Sequence, residues 1–273
     1  MIADRLRRWK HGRRISAARA ELAARQPALT PHGLDAPLIV SLTSYGARLS
    51  AVGPVIQSLL RQNVASDRVV LWLSEADHRA MPESLAQSGV EIRVCEDLRS
   101  YTKIVPSLQA WPDAYIVTAD DDVHYGPNWL GELVAAAKAG ARVAAHRCHR
   151  VTLTSGLPRP YDEWQHNIAS PQMDALNFPT GVGGVLYAPG VFHTDVTDAA
   201  LFRELAPSAD DVWLYWMHRL MGSRPAKIGG RFRIIEWPGT QVSNLRSENL
   251  QGRGNDRAVQ NMLAAYGWPA LTD

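Results

Sequence analysis

A chain of 273 residues with 46% apolar and 21% charged residues has an ordinary globular composition and can bury a full core without covalent staples. Two cysteines, Cys95 and Cys148, exclude a disulfide scaffold and a cysteine-rich zinc module, and no apolar run reaches the ~20 residues of a bilayer span. The net charge of +2 is uneven: residues 1–25 carry eight Lys and Arg against two acids, and the remainder carries 21 bases against 25 acids.

Residues 1–27 are rich in Ala, Arg and Leu and free of Pro before Pro27, which predicts a basic N-terminal helical arm. Ile2, Leu6, Trp9 and Ile15 form a thin apolar stripe between arginines, interrupted at Gly12. Such a stripe suits either an anionic membrane surface or loose packing on the body. The body is acidic and lacks a basic, aromatic-interleaved face, so nucleic acid is not an expected partner. The N-terminus has no apolar h-region, so the expected compartment is cytoplasmic and reducing, with the chain at most peripheral on the inner face of the membrane. The stretch QPALTPHGLDAP carries three prolines and a glycine, so residues 28–36 read as a linker to a single domain over 37–273.

From Leu38 the pattern changes. LIVSL and RVVLWL are short continuous apolar runs, the signature of strands covered on both faces. Val55, Ile56, Leu59 and Leu60 recur at helical spacing between them. EIRVC, AYIVTA, RVAAH and GGVLYAP are further strands. YTKIVPSLQAW and GPNWLGELVAAAKAG are helices, the second with Pro127 near its start and Gly140 past its end. Residues 146–176 read as a long loop. SADDVWLYWMHRLMG is a helix apolar nearly all round, AKIGG and FRIIEW are two short strands, and DRAVQNMLAAYG is a closing helix. Strands alternating with helices predict a three-layer α/β/α sandwich on a mostly parallel sheet.

The strongest chemical signal is TADDDVHY, where an apolar strand runs directly into Asp120, Asp121 and Asp122. Asp is disfavoured in strands, and adjacent carboxylates repel unless a cation sits among them. A turn before Pro127 requires one Asp, not three. Ligands of open parallel sheets bind beyond the carboxyl ends of the strands, and carboxylates there suit Mn²⁺ or Mg²⁺ with open positions for phosphates. The second signal is Asp210–Asp211 at the start of the buried helix. Ser208 and Asp211 have capping-box spacing, while the helix dipole would equally hold a carboxylate ionised as a base or charge stabiliser. His146, Cys148 and His149 fit no structural zinc spacing, and His218 lies inside an apolar helix. No G-x-x-x-x-G-K-[ST] loop, dinucleotide fingerprint or G-x-S-x-G elbow is present.

LIVSLTSYGARL, VIQSLLRQ, VVLWLS, YTKIVPSL, IVTADDDVHY, PTGVGGVLYAP and ADDVWLYWM, in this order, resemble a bacterial glycosyltransferase of the GT-A fold over roughly residues 37–265. The resemblance implies a nucleotide-diphosphate sugar donor, a glycan or glycolipid acceptor with a free hydroxyl, and a divalent cation at an acidic DxD-type motif. Asp120 and Asp122 then stand at the two ends of that metal motif, with Asp122 as the direct ligand and Asp120 or Asp121 toward the ribose or base, and Asp211 or Asp210 where the catalytic carboxylate would be. Thr43, Ser44 and Tyr45 occupy the place of the base and ribose seat. Lys103 and Arg48 are placed to reach the diphosphate, with a solvated surface role as the competing reading. Gly181, Gly183 and Gly184 would let the backbone approach the sugar, with tight turns before a strand as the competing reading. Many members supply a late His as a further ligand; here Asp256 is the candidate in its place, beside Asn255. The carboxylate of Asp211 or Asp210 would deprotonate the acceptor in an inverting enzyme or stabilise the oxocarbenium-like centre in a retaining one. The alternative is a metal-dependent nucleotidyltransferase, which calls for a Gly-rich basic loop where TSYGARLS stands.

Overall fold

The computed structural model describes residues 2–27, 30–239 and 254–271. Residues 28–29 of the expected linker, residues 240–253 and 272–273, and the side chain of Ile2 lie outside the described residues.

Nine helices are described: α1 (Ile2–Ala24), α2 (Gly53–Leu60), α3 (Glu75–Ala80), α4 (Glu83–Ala86), α5 (Val105–Ala110), α6 (Trp129–Lys138), α7 (Ala199–Leu205), α8 (Asp210–Leu220) and α9 (Gly254–Tyr266). The first five strands are β1 (Leu38–Thr43), β2 (Arg68–Leu73), β3 (Glu91–Val94), β4 (Tyr115–Thr118) and β5 (Val143–Ala145). They are followed by β6 (Cys148–Arg150), β7 (Leu153–Thr154), β8 (Leu157–Pro158), β9 (Gln172–Met173), β10 (Asn177–Pro179), β11 (Val185–Tyr187) and β12 (Ala226–Lys227). Eight of them form one sheet in the order β3-β2-β1-β4-β11-β5-β12-β9. β3, β2, β1 and β4 are parallel, as are β5 and β12; β11 runs antiparallel between β4 and β5, and β9 is an antiparallel edge.

Strand periodicity splits β1 between two cores. Leu38, Val40 and Leu42 join Val55, Ile56 and Leu59 of α2 and Leu130 and Leu133 of α6 on one face. Ile39 joins Val70, Trp72 and the buried residues of α5 and α8 on the other. The fold is the expected Rossmann-like three-layer α/β/α sandwich, with helices on both faces of a mostly parallel sheet. The parallel block ends where β4 meets the reversed β11, and this change of direction leaves a crevice beyond the carboxyl end of β4.

Several elements depart from the sequence pattern. FRIIEW forms no strand: it makes the isolated bridge Val123↔Glu236, with His124 N–H donating to Ile235 O and Trp237 N–H to Asp122 O. Its backbone groups are spent on the turn after β4 rather than on a ladder. The expected loop 146–176 contains β6, paired with β10, the β7–β8 hairpin and β9. The helices α3, α4 and α7, of six, four and seven residues, are too short to show a period, and two of them are capped locally. The Ser74 hydroxyl accepts from Asp77 N–H, and Asp198 accepts from Ala200 and Leu201 N–H. α1 continues through Gly12, and its last turns are docked: Ala18, Leu22 and Arg25 are buried, while Leu6 and Trp9 stay exposed.

Candidate active site

Thr43 ends β1 and donates its hydroxyl to Trp72 O, which places Ser44 and Tyr45 at the crevice. β4 delivers Asp120, Asp121 and Asp122 there from the neighbouring strand. The three carboxylates divide between two cations. Asp121 Oδ2 accepts from the Ser44 hydroxyl at 2.6 Å, and its Oδ1 is 3.0 Å from the Arg48 guanidinium. The same guanidinium donates to Asp122 Oδ2 at 2.6 Å. Asp120 Oδ1 accepts from Lys103 Nζ at 2.9 Å, and Asp210 Oδ2 lies 3.1 Å from that ammonium.

Lys103 is not a solvated surface residue. It is 7% exposed, at the end of a 3₁₀ turn (Arg99–Lys103) whose last carbonyl accepts from the Ser41 hydroxyl in β1. A Cβ on Gly181 would stand 2.9 Å from its Nζ and 3.2 Å from Asp211 Oδ1, so a side chain there would push the ammonium and the carboxylate from their present places. Burial works against the ammonium, but Asp120, Asp210 and Asp211 around it hold its pKa well above the ordinary value.

Asp211 does not cap α8. The position before the helix is Ala209, with no side-chain cap, and Asp211 Oδ1 accepts from Gly181 N–H at 2.9 Å across the crevice. Burial, reinforced by Asp210, pushes its carboxyl up to about 7. Burial and then Asp120 do the same to Asp122, also to about 7, against the pull of Arg48. Both therefore sit near the ionisation balance that suits proton transfer or cation capture at neutral pH.

These groups line one cavity of about 1030 Å³. Nine carboxylates and four cationic side chains border it, a strong negative excess. Thr43, Tyr45, Arg48, Lys103, Asp120, Asp121, Asp122, Asp210 and Asp211 all lie on its wall. Three expected site residues do not. A Cβ on Gly183 would meet the Arg147 backbone at 3.0 Å, and one on Gly184, at φ +82°, would meet the Trp129 ring at 2.3 Å. Both glycines thus serve protein packing, and Gly181 is the one that borders the cavity. Asp256 accepts from Tyr161 N–H at 2.7 Å in the first turn of α9, so its oxygen is turned to a backbone donor; only Asn255 of that turn reaches the wall.

The far wall comes from the segment read as a loop. The His149 Nδ1 accepts from Asn167 N–H, which leaves the proton of neutral His149 on Nε2, 3.2 Å from His166 Nδ1. His166 Nε2 then donates to Tyr161 O. The Arg147 guanidinium donates to the Thr180 hydroxyl beside them. The density of His, Tyr, Trp and Asn in this stretch was the available signal, but its register toward β4 comes only from the β6–β10 pairing. His146 packs instead under α6, its Nε2 2.9 Å from Trp129 O, and His218 is buried against Ser223.

Oxygen donors and excess negative charge, with Asp210 Oδ2 held only by its ion pair with Lys103, fit a hard divalent cation as a partial donor set. Among the described residues no three His, Cys, Asp or Glu side chains are already gathered into a cage. Asp122 and Asp120 would hold such an ion, with further positions left to a ligand's phosphate oxygens.

No family model and no curated protein matches the chain. Solved structures of similar shape include glucosyl-3-phosphoglycerate synthase from Mycobacterium tuberculosis in complex with Mn²⁺, uridine diphosphate and phosphoglyceric acid (16% identity, 94% of this chain, 84% of that one, TM-score 0.48). They also include S. aureus TarS (14%, 72% and 59%, 0.47). A third is 2-C-methyl-D-erythritol 4-phosphate cytidylyltransferase from Francisella tularensis (11%, 80% and 99%, 0.46). At these scores the neighbours carry neither a fold nor an activity to this chain, and the sheet order rests on its own hydrogen bonds.

Proposed function

We propose that the chain is a GT-A glycosyltransferase that moves a sugar from a nucleoside-diphosphate sugar to a hydroxyl of a glycan or glycolipid. The observation that carries this reading is the meeting of Asp120, from the strand-end cluster, with Asp210 and Asp211 around Lys103 in a cavity large enough for a donor of this size. A diphosphate entering a wall with nine carboxylates needs compensating positive charge. Mn²⁺ or Mg²⁺ held by Asp122 and Asp120 would supply it, adding Lewis-acid stabilisation of the leaving diphosphate.

The chain's own groups account for the rest. Tyr45, 37% exposed at the rim with the Arg48 guanidinium 5.5 Å from its ring, offers a stacking face for a base. Lys103 is a fixed positive charge where the diphosphate oxygen gains its electron pair. Asp211, oriented by Gly181 N–H, accepts the proton of the acceptor hydroxyl. The acceptor oxygen then bonds to the anomeric carbon as the carbon–oxygen bond to the diphosphate breaks. In the loop after β1, by contrast, Arg48 is turned onto Asp121 and Asp122 and Gly46 N–H is given to Asp77, so a triphosphate would have to displace these partners to use that loop.

Calorimetric titration of the five common nucleoside diphosphates, with and without Mn²⁺, tests the reading. One of them binds with Mn²⁺ and loses most of its affinity without it. Binding of none, or metal-independent binding of all, would sink the proposal.

The projecting part of α1 is assigned to an anionic membrane surface. Among the described residues no helix is long and apolar enough to cross a bilayer. Leu6 and Trp9 are exposed, with the Arg13 guanidinium 5.0 Å from the indole. Removing residues 1–14 leaves fold and turnover on soluble acceptors intact and weakens binding to phosphatidylglycerol vesicles, more at low salt than at high. Unchanged vesicle binding would refute the assignment.

A further inference from the structure

The turn carrying the triple aspartate is gripped by α1. The Arg25 guanidinium, 9% exposed, donates from both terminal nitrogens to Tyr125 O at 3.1 Å, and from one of them to Ser58 O at 3.0 Å. Glu21 fixes that guanidinium with a two-point pair, Nε to Oε1 at 2.8 Å and a terminal nitrogen to Oε2 at 2.5 Å. Glu21 Oε2 also lies 3.3 Å from His124 Nε2. Tyr125 passes the hold onward: its ring is fully buried against Trp129, and its hydroxyl accepts from Asp120 N–H at 2.8 Å. A chain of contacts therefore runs from Glu21 and Arg25 through Tyr125 to the backbone of Asp120. A buried guanidinium that satisfies backbone carbonyls of two different elements cannot be replaced by water without loss of the geometry it sets.

We infer that Arg25, oriented by Glu21, is a positioning residue for the Asp120–Asp122 turn, so that the docked end of α1 belongs to the active site although it touches no substrate. This rests on the proposed donor and cation site for its functional meaning, but not for its test. The two ends of α1 then have separate duties: its described side chains up to Arg14 are exposed, and the stretch from Ala18 to Arg25, just past its last residue, completes the site.

The first test is hydrogen exchange of the wild type, Arg25→Met and Tyr125→Phe. Arg25→Met keeps the apolar stem and removes the donors. Tyr125→Phe removes only the acceptor of the Asp120 amide. In both, amides of residues 119–125 exchange about tenfold faster while the strands of the sheet keep their protection. Unchanged exchange in the turn, or a uniform rise over the whole protein, overturns the inference. The second readout is affinity for the Mn²⁺–nucleoside diphosphate pair that the wild type prefers, which weakens about tenfold or more in Arg25→Met and is partly restored in Arg25→Lys. Equal affinity in wild type and Arg25→Met overturns the inference. A wild type that binds no such pair counts against the proposed function, and the exchange result alone then decides the role of Arg25.

Discussion

Asp211→Asn lowers turnover by about 10²-fold or more while leaving the protein at least as heat-stable as the wild type at neutral pH. The amide keeps the size of the carboxylate and can still accept from Gly181 N–H, but it has neither basicity nor charge. Stability moves the other way from activity because burial raises the folded carboxyl from 3.8 to about 7. Between those values the folded state binds more protons than the unfolded state, so this group's contribution falls as pH rises. Asn does not titrate. The melting temperature of the variant relative to wild type therefore climbs from pH 5 to pH 7 and then levels. In the wild type, turnover rises with pH through about 7 as Asp211 loses its proton. Asp210→Asn is the companion measurement: Asp210 faces Lys103 rather than Gly181, and its loss disturbs the cation more than the base. Small rate losses in both variants with lowered melting would reduce the pair to a structural role at the start of α8.

Asp122→Ala abolishes cation-dependent nucleotide binding and brings turnover to background, and the protein stays folded. Burial and repulsion from Asp120 hold its carboxyl at about 7, so the ionised form is costly in the folded chain. Arg48 keeps a partner in Asp121 at 3.0 Å after the substitution, so no unpaired buried charge is left behind. By the same linkage, melting of the variant holds or improves as pH rises toward 7. Nucleotide titration with and without Mn²⁺, beside a melting curve, checks both halves. Wild-type turnover in Asp122→Ala would remove the cation from the account.

The sheet was legible because buried parallel strands are continuous apolar runs, and LIVSL, RVVLWL and IVT leave little alternative. The acidic clusters were legible because carboxylates at a strand end or a buried helix start contradict local preference. What surrounds them was not. Lys103 and Arg48 have the same letters whether solvated or buried, and only the close approach of Gly181 and the position of β4 make them internal counter-ions. Gly183 and Gly184 carry a real glycine signal whose cause is Trp129 and the Arg147 backbone rather than a ligand. Asp256 has the right composition and the wrong neighbour, Tyr161 N–H. His149, Tyr161 and His166 lie on a segment without period, and Arg25 acts on a residue 100 positions away. Each of these depends on long-range pairing that no local pattern encodes.

In the proposed reaction the bond broken is the sugar–oxygen bond, not a bond at phosphorus. ³¹P nuclear magnetic resonance of the purified protein with Mn²⁺, the donor whose diphosphate it binds and a hydroxyl-bearing glycan distinguishes the two. Free nucleoside diphosphate accumulates in step with a glycosylated acceptor, no pyrophosphate forms when a nucleoside triphosphate and a sugar phosphate are supplied instead, and Asp211→Asn stops the first reaction. Pyrophosphate release with formation of a nucleotide sugar, insensitive to Asp211→Asn, would contradict the proposed reaction.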